Sequence, residues 1–220
     1  MKRSKEDILK QILGQKVLPL YFCEDTDESI EVLKVLYEAG IRSVEYTNRR
    51  KEALKNFKEM RKVCDKEMKE MILGIGTIKN GGPAKEFISA GAEFMVSPGM
   101  VKEVIDIAND HKLLFIPGCM TSTEIIAAEN SGIGMVKLFP GSLLGPGYVR
   151  SIKPLFPEMK FMPTGGVSLN KENIQSWFDA GVNAVGMGSK LISRAALEQK
   201  DYQAIRKATE EVIRIVREME

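Results

Sequence analysis

The sequence is poor in the residues that build metal sites and disulfide frameworks. It contains one histidine, His111, and three cysteines, none of which form a C-x-x-C pair. Structural zinc sites take four Cys or His ligands, and metal-dependent epimerases need several histidines, so we expect no metal centre. The widely spaced cysteines suggest no disulfide framework and favour a reducing cytoplasm.

The sequence also lacks an excess of charge of either sign and lacks long apolar runs. Lys and Arg number 32 against 30 Asp and Glu, which leaves a formal net charge of +2. This balance predicts no polyanion-binding surface and therefore no nucleic-acid partner. No stretch approaches the roughly 20 apolar residues of a membrane span, and no apolar segment follows the charged residues 1–7. We expect neither a membrane partner nor a signal peptide.

What the sequence does contain is a repeated unit, an apolar run of strand length followed by an amphipathic run of helix length. The predicted strands begin at Val17, Ser43, Met71, Phe94, Leu113, Met135, Lys160 and Ala184. Eight such units predict a closed parallel (β/α)8 TIM barrel. Ser4 and Asp7 predict the start of a short N-terminal helix. We expect that helix over residues 1–15 and a single barrel domain over residues 16–220.

Four of the predicted helices end with a small residue and a glycine, as a left-handed helix cap requires. The glycines are Gly40, Gly91, Gly132 and Gly181. Glu45 lies five residues after the first of them and Lys137 five residues after the third. The two side chains therefore occupy equivalent places in their strands, which predicts the same depth in one barrel.

Lys137 lies in the middle of an apolar strand. Because alternate side chains of a strand share a face, Met135, Lys137 and Phe139 point one way and Val136 and Leu138 the other. Burying an ammonium group costs several kcal/mol unless it is paired or deprotonated, which favours a neutral, nucleophilic lysine that forms a Schiff base. The alternative is a charge at the edge of a sheet or one that reaches the surface.

In barrels of this kind the working residues lie at the carboxyl ends of the strands. The residues predicted there are Glu45, Thr47, Arg49, Thr77, Ser97, Pro98, Thr121, Lys137, Phe139, Thr164, Gly165, Gly166, Gly186, Met187, Gly188 and Ser189. Imine chemistry needs a neutral amine, a carboxylate that moves protons and a cation that binds an anionic substrate, as Lys137, Glu45 and Arg49 would supply. Alternatively, Glu45 is a buried carboxylate satisfied by a cation.

Glycines close the last two predicted strands. They lie in Thr164-Gly165-Gly166 and in Gly188-Ser189. Barrels commonly bind a phosphate at this position through backbone N–H groups, because glycine allows the backbone to approach closely. A glycine pair alone is also typical of a turn.

Taken together, six short motifs of the sequence resemble those of a known family. They are Glu45-Tyr-Thr-Asn-Arg49, Gly74-Ile-Gly-Thr77, Val96-Ser-Pro-Gly99, Ile116-Pro-Gly118, Val136-Lys-Leu-Phe-Pro140 and Phe161-Met-Pro-Thr-Gly-Gly166. In order and spacing the chain resembles the 2-keto-3-deoxy-6-phosphogluconate (KDPG)/4-hydroxy-2-oxoglutarate (KHG) aldolases over residues 16–195. The resemblance implies a class I pyruvate aldolase, a homotrimer of barrels that uses no metal and no other cofactor.

The resemblance also implies roles for single residues. Lys137 matches the imine-forming lysine and Glu45 the acid/base carboxylate. The matches around the pyruvate moiety are Arg49, Thr77, Pro98 and Phe139, and those of the phosphate pocket are Gly165, Gly166 and Ser189, with Thr164 and Gly188 as further substrate-binding residues. The chain departs from the family pattern at Gly141-Ser142, where many members carry Ala-Glu or Gly-Glu, and at Asn48, where an apolar residue is frequent.

The implied reaction is the reversible cleavage of KDPG to pyruvate and glyceraldehyde 3-phosphate, with KHG, which yields pyruvate and glyoxylate, as a further substrate. One alternative is an aldolase for another 2-keto acid, such as the galactonate epimer. A second is another phosphosugar barrel enzyme, an epimerase or a synthase. A third is a non-catalytic barrel that only binds a ligand, which the Glu45 and Lys137 pair disfavours.

Overall fold

The strands of the computed structural model form a parallel barrel with helices around it. The structure describes residues 3–219; Met1, Lys2 and Glu220, which fall in the predicted helix and barrel segments, lie outside the described residues. The strands are β1 (Val17–Tyr21), β2 (Ser43–Thr47), β3 (Ile72–Gly76), β4 (Phe94–Val96), β5 (Leu114–Ile116), β6 (Gly118–Cys119), β7 (Met135–Leu138), β8 (Lys160–Pro163) and β9 (Val185–Met187).

A helix follows each strand except β5, which continues directly into β6. Two helices follow β9, and one more precedes β1. The helices are α1 (Lys5–Gln15), α2 (Thr26–Glu38), α3 (Ala53–Glu67), α4 (Gly81–Ser89), α5 (Lys102–Asp110), α6 (Ser122–Asn130), α7 (Gly141–Ile152), α8 (Lys171–Asp179), α9 (Arg194–Glu198) and α10 (Tyr202–Arg217). A short 3-10 turn, Lys153–Leu155, extends α7. The four predicted cap glycines all have a positive φ, between 73° and 105°.

Two sheets make up the barrel. One has the order β5-β4-β3-β2-β1-β9 and the other the order β6-β7-β8. On one side the sheets meet where β5 continues into β6, and there the Lys137 N–H of β7 donates to the Pro117 carbonyl at 2.8 Å. On the other side, between β8 and β9, a bridge pairs Thr164 with Gly186. These junctions close the ring of eight β/α units, so the predicted (β/α)8 barrel with an N-terminal helix is confirmed.

The fifth predicted strand differs from the prediction in one respect. We expected one strand that begins at Leu113, and the structure divides it into β5 and β6 at Pro117. Proline has no N–H to donate to a neighbouring strand, so the ladder breaks there although the chain continues in the same direction.

Successive side chains of each strand point alternately into and out of the barrel, which gives two separate apolar cores. Leu18 and Met135 point inward and fill the barrel. Val17 and Val136 point outward and pack against the surrounding helices. The inner face of β7 therefore carries Lys137 as well as Met135.

Helix α1 covers the amino-terminal end of the barrel. Ser4 caps it by accepting a hydrogen bond from the Asp7 N–H at 3.0 Å, as the sequence predicted. Ile8 and Ile12 are buried in the core inside the barrel. Gln15 ties the end of the helix to β2, because its side-chain oxygen accepts from the Ser43 N–H at 2.9 Å. With this end covered, a ligand has to approach from the carboxyl ends of the strands.

No helix within residues 3–219 is long and apolar enough to cross a membrane. The three cysteines, Cys23, Cys64 and Cys119, are free thiols and buried. Burial raises the pKa of the Cys64 and Cys119 thiols to about 12. Because the reactive form is the thiolate, these side chains act as small apolar groups.

Candidate active site

Lys137 lies on β7 and points into the barrel. The strand pairs with β6 and β8, and Lys137 is in register with Gly118 and Met162. The side chain is only 7% exposed. Its Nζ lies 5.5 Å from the centroid of the Phe139 ring. The amine therefore lies beside an aromatic ring and has little contact with bulk water.

Glu45, on β2, faces Lys137 across the barrel. The Lys137 Nζ lies 3.5 Å from Glu45 Oε1, and Glu45 is 1% exposed. The second carboxylate oxygen, Oε2, has no hydrogen-bond partner within residues 3–219. One oxygen is thus directed at the amine, while the other is buried with its hydrogen-bonding capacity unused.

Gly76, on the neighbouring strand β3, makes room for this carboxylate. A Cβ atom at position 76 would lie 1.8 Å from Glu45 Oε1. That distance is far shorter than any van der Waals contact, so a larger residue would displace the Glu45 side chain. The glycine is therefore part of what fixes the distance between the amine and the carboxylate.

A cavity of about 290 Å³ opens at the carboxyl ends of the strands. The cavity is lined by all eleven residues that were given a catalytic or substrate-binding role, namely Glu45, Arg49, Thr77, Pro98, Lys137, Phe139, Thr164, Gly165, Gly166, Gly188 and Ser189. Its volume is near the lower end of the range for small-molecule sites, about 300–1,000 Å³. The structure thus brings the eleven predicted residues into one cavity.

Two of the predicted strand-end residues, Thr47 and Gly186, also line the cavity, as do three residues that the sequence analysis did not predict. They are Leu20, Val167 and Lys190. Leu20 lies near the end of β1, Val167 follows the glycine pair, and Lys190 follows Ser189. The rule that the carboxyl ends of barrel strands carry the site could have found each of them.

Two predicted strand-end hydroxyls do not line the cavity. Thr121 caps α6, where its hydroxyl accepts a hydrogen bond from the Glu124 N–H. Ser97 is buried and donates its hydroxyl hydrogen to the Gly99 carbonyl at 2.6 Å. Both side chains satisfy nearby backbone groups, a role that Ser and Thr often take at strand and helix ends.

The residues expected to hold a carboxylate have distinct properties. Arg49 is exposed and makes no ion pair with a residue between 3 and 219, so its guanidinium is available to an anion. Thr77, at the end of β3, has a φ of 63°. A β-branched residue in the left-handed region is strained, and such strain is found mostly at functional sites.

The glycine pair after β8 has the form of an anion-binding turn. Gly165 and Gly166 have φ values of 86° and 75°. The N–H groups of Gly166 and Val167 donate to no acceptor within residues 3–219. Successive free N–H groups at a turn of positive φ form a concavity that binds anions. Ser189, from the end of the next strand, borders the same cavity.

The structure gathers a lysine, a glutamate, an arginine and a glycine turn at the carboxyl ends of the strands of a closed (β/α)8 barrel. This arrangement is typical of a barrel enzyme that acts on a small molecule. Comparison with known proteins makes this specific. The KDPG and KHG aldolase family model matches residues 7–208. The chain therefore belongs to that family, it is an aldolase and hence a lyase, and the predicted resemblance is confirmed.

Individual relatives agree with this assignment. A Treponema pallidum protein named 2-dehydro-3-deoxy-phosphogluconate aldolase is 30% identical over 203 residues, which cover 91% of this chain and 93% of the relative. An Escherichia coli K12 protein named 2-dehydro-3-deoxy-6-phosphogalactonate aldolase is 33% identical over 121 residues, 54% of this chain and 58% of the relative.

A solved structure shows that the fold is shared. It is that of a Legionella pneumophila KDPG aldolase in which pyruvate was captured as a covalent carbinolamine intermediate. It matches this chain with a TM-score of 0.83 at 24% sequence identity, over 91% of this chain and 95% of that chain.

Proposed function

We propose that the protein is a class I aldolase that forms a Schiff base on Lys137 and reversibly cleaves KDPG to pyruvate and glyceraldehyde 3-phosphate. The observation that carries this proposal is the buried pair, with Lys137 Nζ 3.5 Å from Glu45 Oε1. The pair lies in a cavity that also holds a free guanidinium and an anion-binding turn. A substrate with a carboxylate at one end and a phosphate at the other complements such a cavity.

The reaction begins at the C2 keto group. The neutral Lys137 nitrogen attacks C2, and the carbonyl oxygen takes up a proton to give a carbinolamine. Glu45 supplies a proton to the departing hydroxyl, water leaves, and a protonated imine remains. The positively charged imine then serves as the electron acceptor when the C3–C4 bond is cleaved.

Cleavage follows from a proton transfer at C4. Glu45, acting through a water molecule, removes the proton of the C4 hydroxyl, and the C4–O bond becomes a carbonyl. The electrons of the C3–C4 bond form the C2–C3 double bond of an enamine, and the aldehyde leaves. C3 then takes up a proton to give the pyruvate imine, which water hydrolyses to release pyruvate and Lys137. The unpaired Glu45 Oε2 supports this role.

The remaining residues bind the two ends of the substrate. Arg49 and Thr77 hold the carboxylate, and Phe139 keeps water from the amine. At the other end, Gly165, Gly166 and Ser189 bind the phosphate. Pro98, Thr164 and Gly188 complete the lining.

KHG is proposed as a further substrate. The alternative to KDPG is its galactonate epimer, and the name of the Escherichia coli relative supports this alternative. The two epimers differ only at C4, the carbon whose hydroxyl the Glu45 carboxylate has to reach. Cleavage rates for KDPG, its galactonate epimer and KHG, measured by pyruvate release, decide between them. Homotrimeric assembly and a cytoplasmic location, with no nucleic acid or membrane as partner, stay predictions; light scattering after size-exclusion chromatography tests the assembly.

Trapping with borohydride tests the proposed chemistry directly. Incubation with pyruvate and borohydride should add one reduced pyruvate to Lys137, identified by mass spectrometry of a digest. Lys137→Arg should abolish both the adduct and turnover, because a guanidinium stays protonated and forms no imine. Lys190→Arg, which changes another lysine of the same cavity, is the matched control and should keep the adduct. An adduct on Lys153 or Lys190, or no adduct, would remove the proposal.

A further inference from the structure

Helix α8 holds the carbonyl group of Gly166 from outside the cavity. The Asn173 side-chain amide donates to the Gly166 carbonyl at 3.2 Å, and the Trp177 indole N–H donates to the same oxygen at 3.4 Å. Neither side chain lines the cavity. Two donors from one helix thus converge on one backbone oxygen of the glycine turn.

Asn173 also holds the other end of the turn. Its side-chain oxygen accepts a hydrogen bond from the Ser168 N–H at 2.8 Å. The single amide group therefore spans the backbone from Gly166 to Ser168. Trp177 is 1% exposed, so its ring is fixed by the packing between α8 and the barrel.

The opposite side of the turn is bounded by the start of α7. The Gly141 N–H donates to the Thr164 carbonyl at 2.8 Å. A Cβ atom at Gly166 would lie 2.9 Å from the Ser142 Cα. The turn is thus confined between α7 and α8, and its peptide groups have little freedom to rotate.

This confinement determines where the free N–H groups point. In a trans peptide the carbonyl and the following N–H lie on opposite sides. With the Gly166 carbonyl held toward α8, the Val167 N–H is directed away from α8, and both residues line the cavity. As described above, the N–H groups of Gly166 and Val167 have no acceptor within residues 3–219.

We propose that Asn173 and Trp177 are positioning residues for recognition of the substrate phosphate. By fixing the Gly166–Val167 peptide, they aim the Val167 N–H, which lies beside the Gly166 N–H, at the phosphoryl group without touching it. The inference rests on the proposed aldolase function, because it assigns the phosphate of that substrate to this turn. It implies that α8, outside the cavity, sets the preference for phosphorylated substrates.

The test compares variants that remove one donor each. Asn173→Leu removes both hydrogen bonds of the amide at similar volume, and Trp177→Phe removes the indole N–H while an aromatic ring remains. For each variant, kcat/KM for KDPG should fall roughly ten-fold, mainly through a higher KM, and inhibition by inorganic phosphate should weaken to a similar degree. The rate of pyruvate trapping on Lys137 should stay within about two-fold of the wild-type rate, because pyruvate has no phosphate.

Asn170→Ala is the matched control. Asn170 caps α8 by accepting from the Asn173 N–H at 2.8 Å but does not contact the Gly166 carbonyl. This variant should lower the melting temperature and leave the ratio of KDPG cleavage to pyruvate trapping unchanged. The inference is overturned if Asn173→Leu and Trp177→Phe keep the wild-type ratio and phosphate inhibition, or if they lower cleavage and trapping equally. Failure of the wild-type protein to trap pyruvate would instead overturn the proposed aldolase chemistry.

Discussion

Among single residues, Gly76 is the one on which the Lys137–Glu45 geometry depends most directly. We expect Gly76→Ala to lower kcat by on the order of 100-fold, because the new methyl group would occupy the position of Glu45 Oε1 and displace the carboxylate. Steady-state cleavage assays measure the effect. Pyruvate trapping on Lys137 should be reduced less, since the amine itself is not displaced.

Gly14→Ala is the control for this substitution. Gly14 lies in α1, and a Cβ there would meet no atom within 4 Å. Alanine is favoured over glycine inside a helix by about 0.5–1 kcal/mol, so this variant should be slightly more stable and fully active. Wild-type activity in Gly76→Ala would contradict this prediction, because it would show that the Glu45 carboxylate can shift without loss of activity.

Individual residues also show the limit of reasoning from sequence. The strand-end rule predicted Glu45 and Lys137 in one cavity, because their equal distance from the cap glycines fixes their depth. The same rule listed Ser97 and Thr121 at strand ends, where they do lie, but their side chains do not line the cavity. Whether a hydroxyl faces the cavity or bonds a nearby backbone group depends on local geometry that residue type does not encode.

At the scale of elements, the start of α6 depends on a charged cap. The Glu124 carboxylate accepts from the Met120 and Thr121 N–H groups at 2.7 and 2.8 Å and from the Thr121 hydroxyl at 2.9 Å. Burial works to raise the pKa of Glu124, but these hydrogen bonds outweigh it and leave the pKa below its usual range. The ionised form therefore binds the helix start more tightly than the protonated form.

The stability that this cap supplies should depend on pH. A carboxyl group whose pKa is lower in the folded protein stabilises the fold above its unfolded pKa, about 4.3, and loses that effect as the pH falls through the folded value. Glu124→Gln should therefore lower the free energy of unfolding by about 0.5–1 kcal/mol at pH 7, and the difference should shrink in acid. Urea denaturation at both pH values measures it. Glu129→Gln, on an exposed position of the same helix, should change little; an equal loss at both pH values for Glu124→Gln would contradict a charged cap.

Most element positions could be predicted, because apolar runs and cap glycines specify them locally. The strands β1, β2, β4, β7 and β8 begin at the predicted residue, and β3, β5 and β9 begin one residue after it. What the pattern could not indicate was the division at Pro117 or the interruption of α7 at Gly145, where φ is 69°. Both lie at or next to a proline, Pro117 and Pro146, and neither changes the alternation of apolar runs from which the elements were predicted.

For the whole molecule, closure of the barrel could be predicted from the number of repeated units, since eight parallel strands with crossover helices close on themselves. The support that α8 gives to the glycine turn could not. In the sequence, Asn173 and Trp177 occupy ordinary positions of an amphipathic helix. Only the packed barrel shows that both side chains donate hydrogen bonds to the Gly166 carbonyl.

The junction between β8 and β9 has a consequence for ligand-linked stability. These strands belong to different sheets and are joined near their carboxyl ends by the Thr164–Gly186 bridge. A phosphate bound by Gly166 on one side and Ser189 on the other would connect the two sheets, so local opening at this junction should become rarer.

Hydrogen–deuterium exchange measures that effect. With inorganic phosphate present, amide exchange in peptides that cover β8 and β9 should slow, while exchange in α1, at the far end of the barrel, should not change. Equal slowing in both regions would indicate general stabilisation by the anion. Slower exchange in β8 and β9 alone would mean that bound substrate strengthens the contact between these two strands. The enzyme without substrate would then open more readily at this junction than the enzyme with substrate bound.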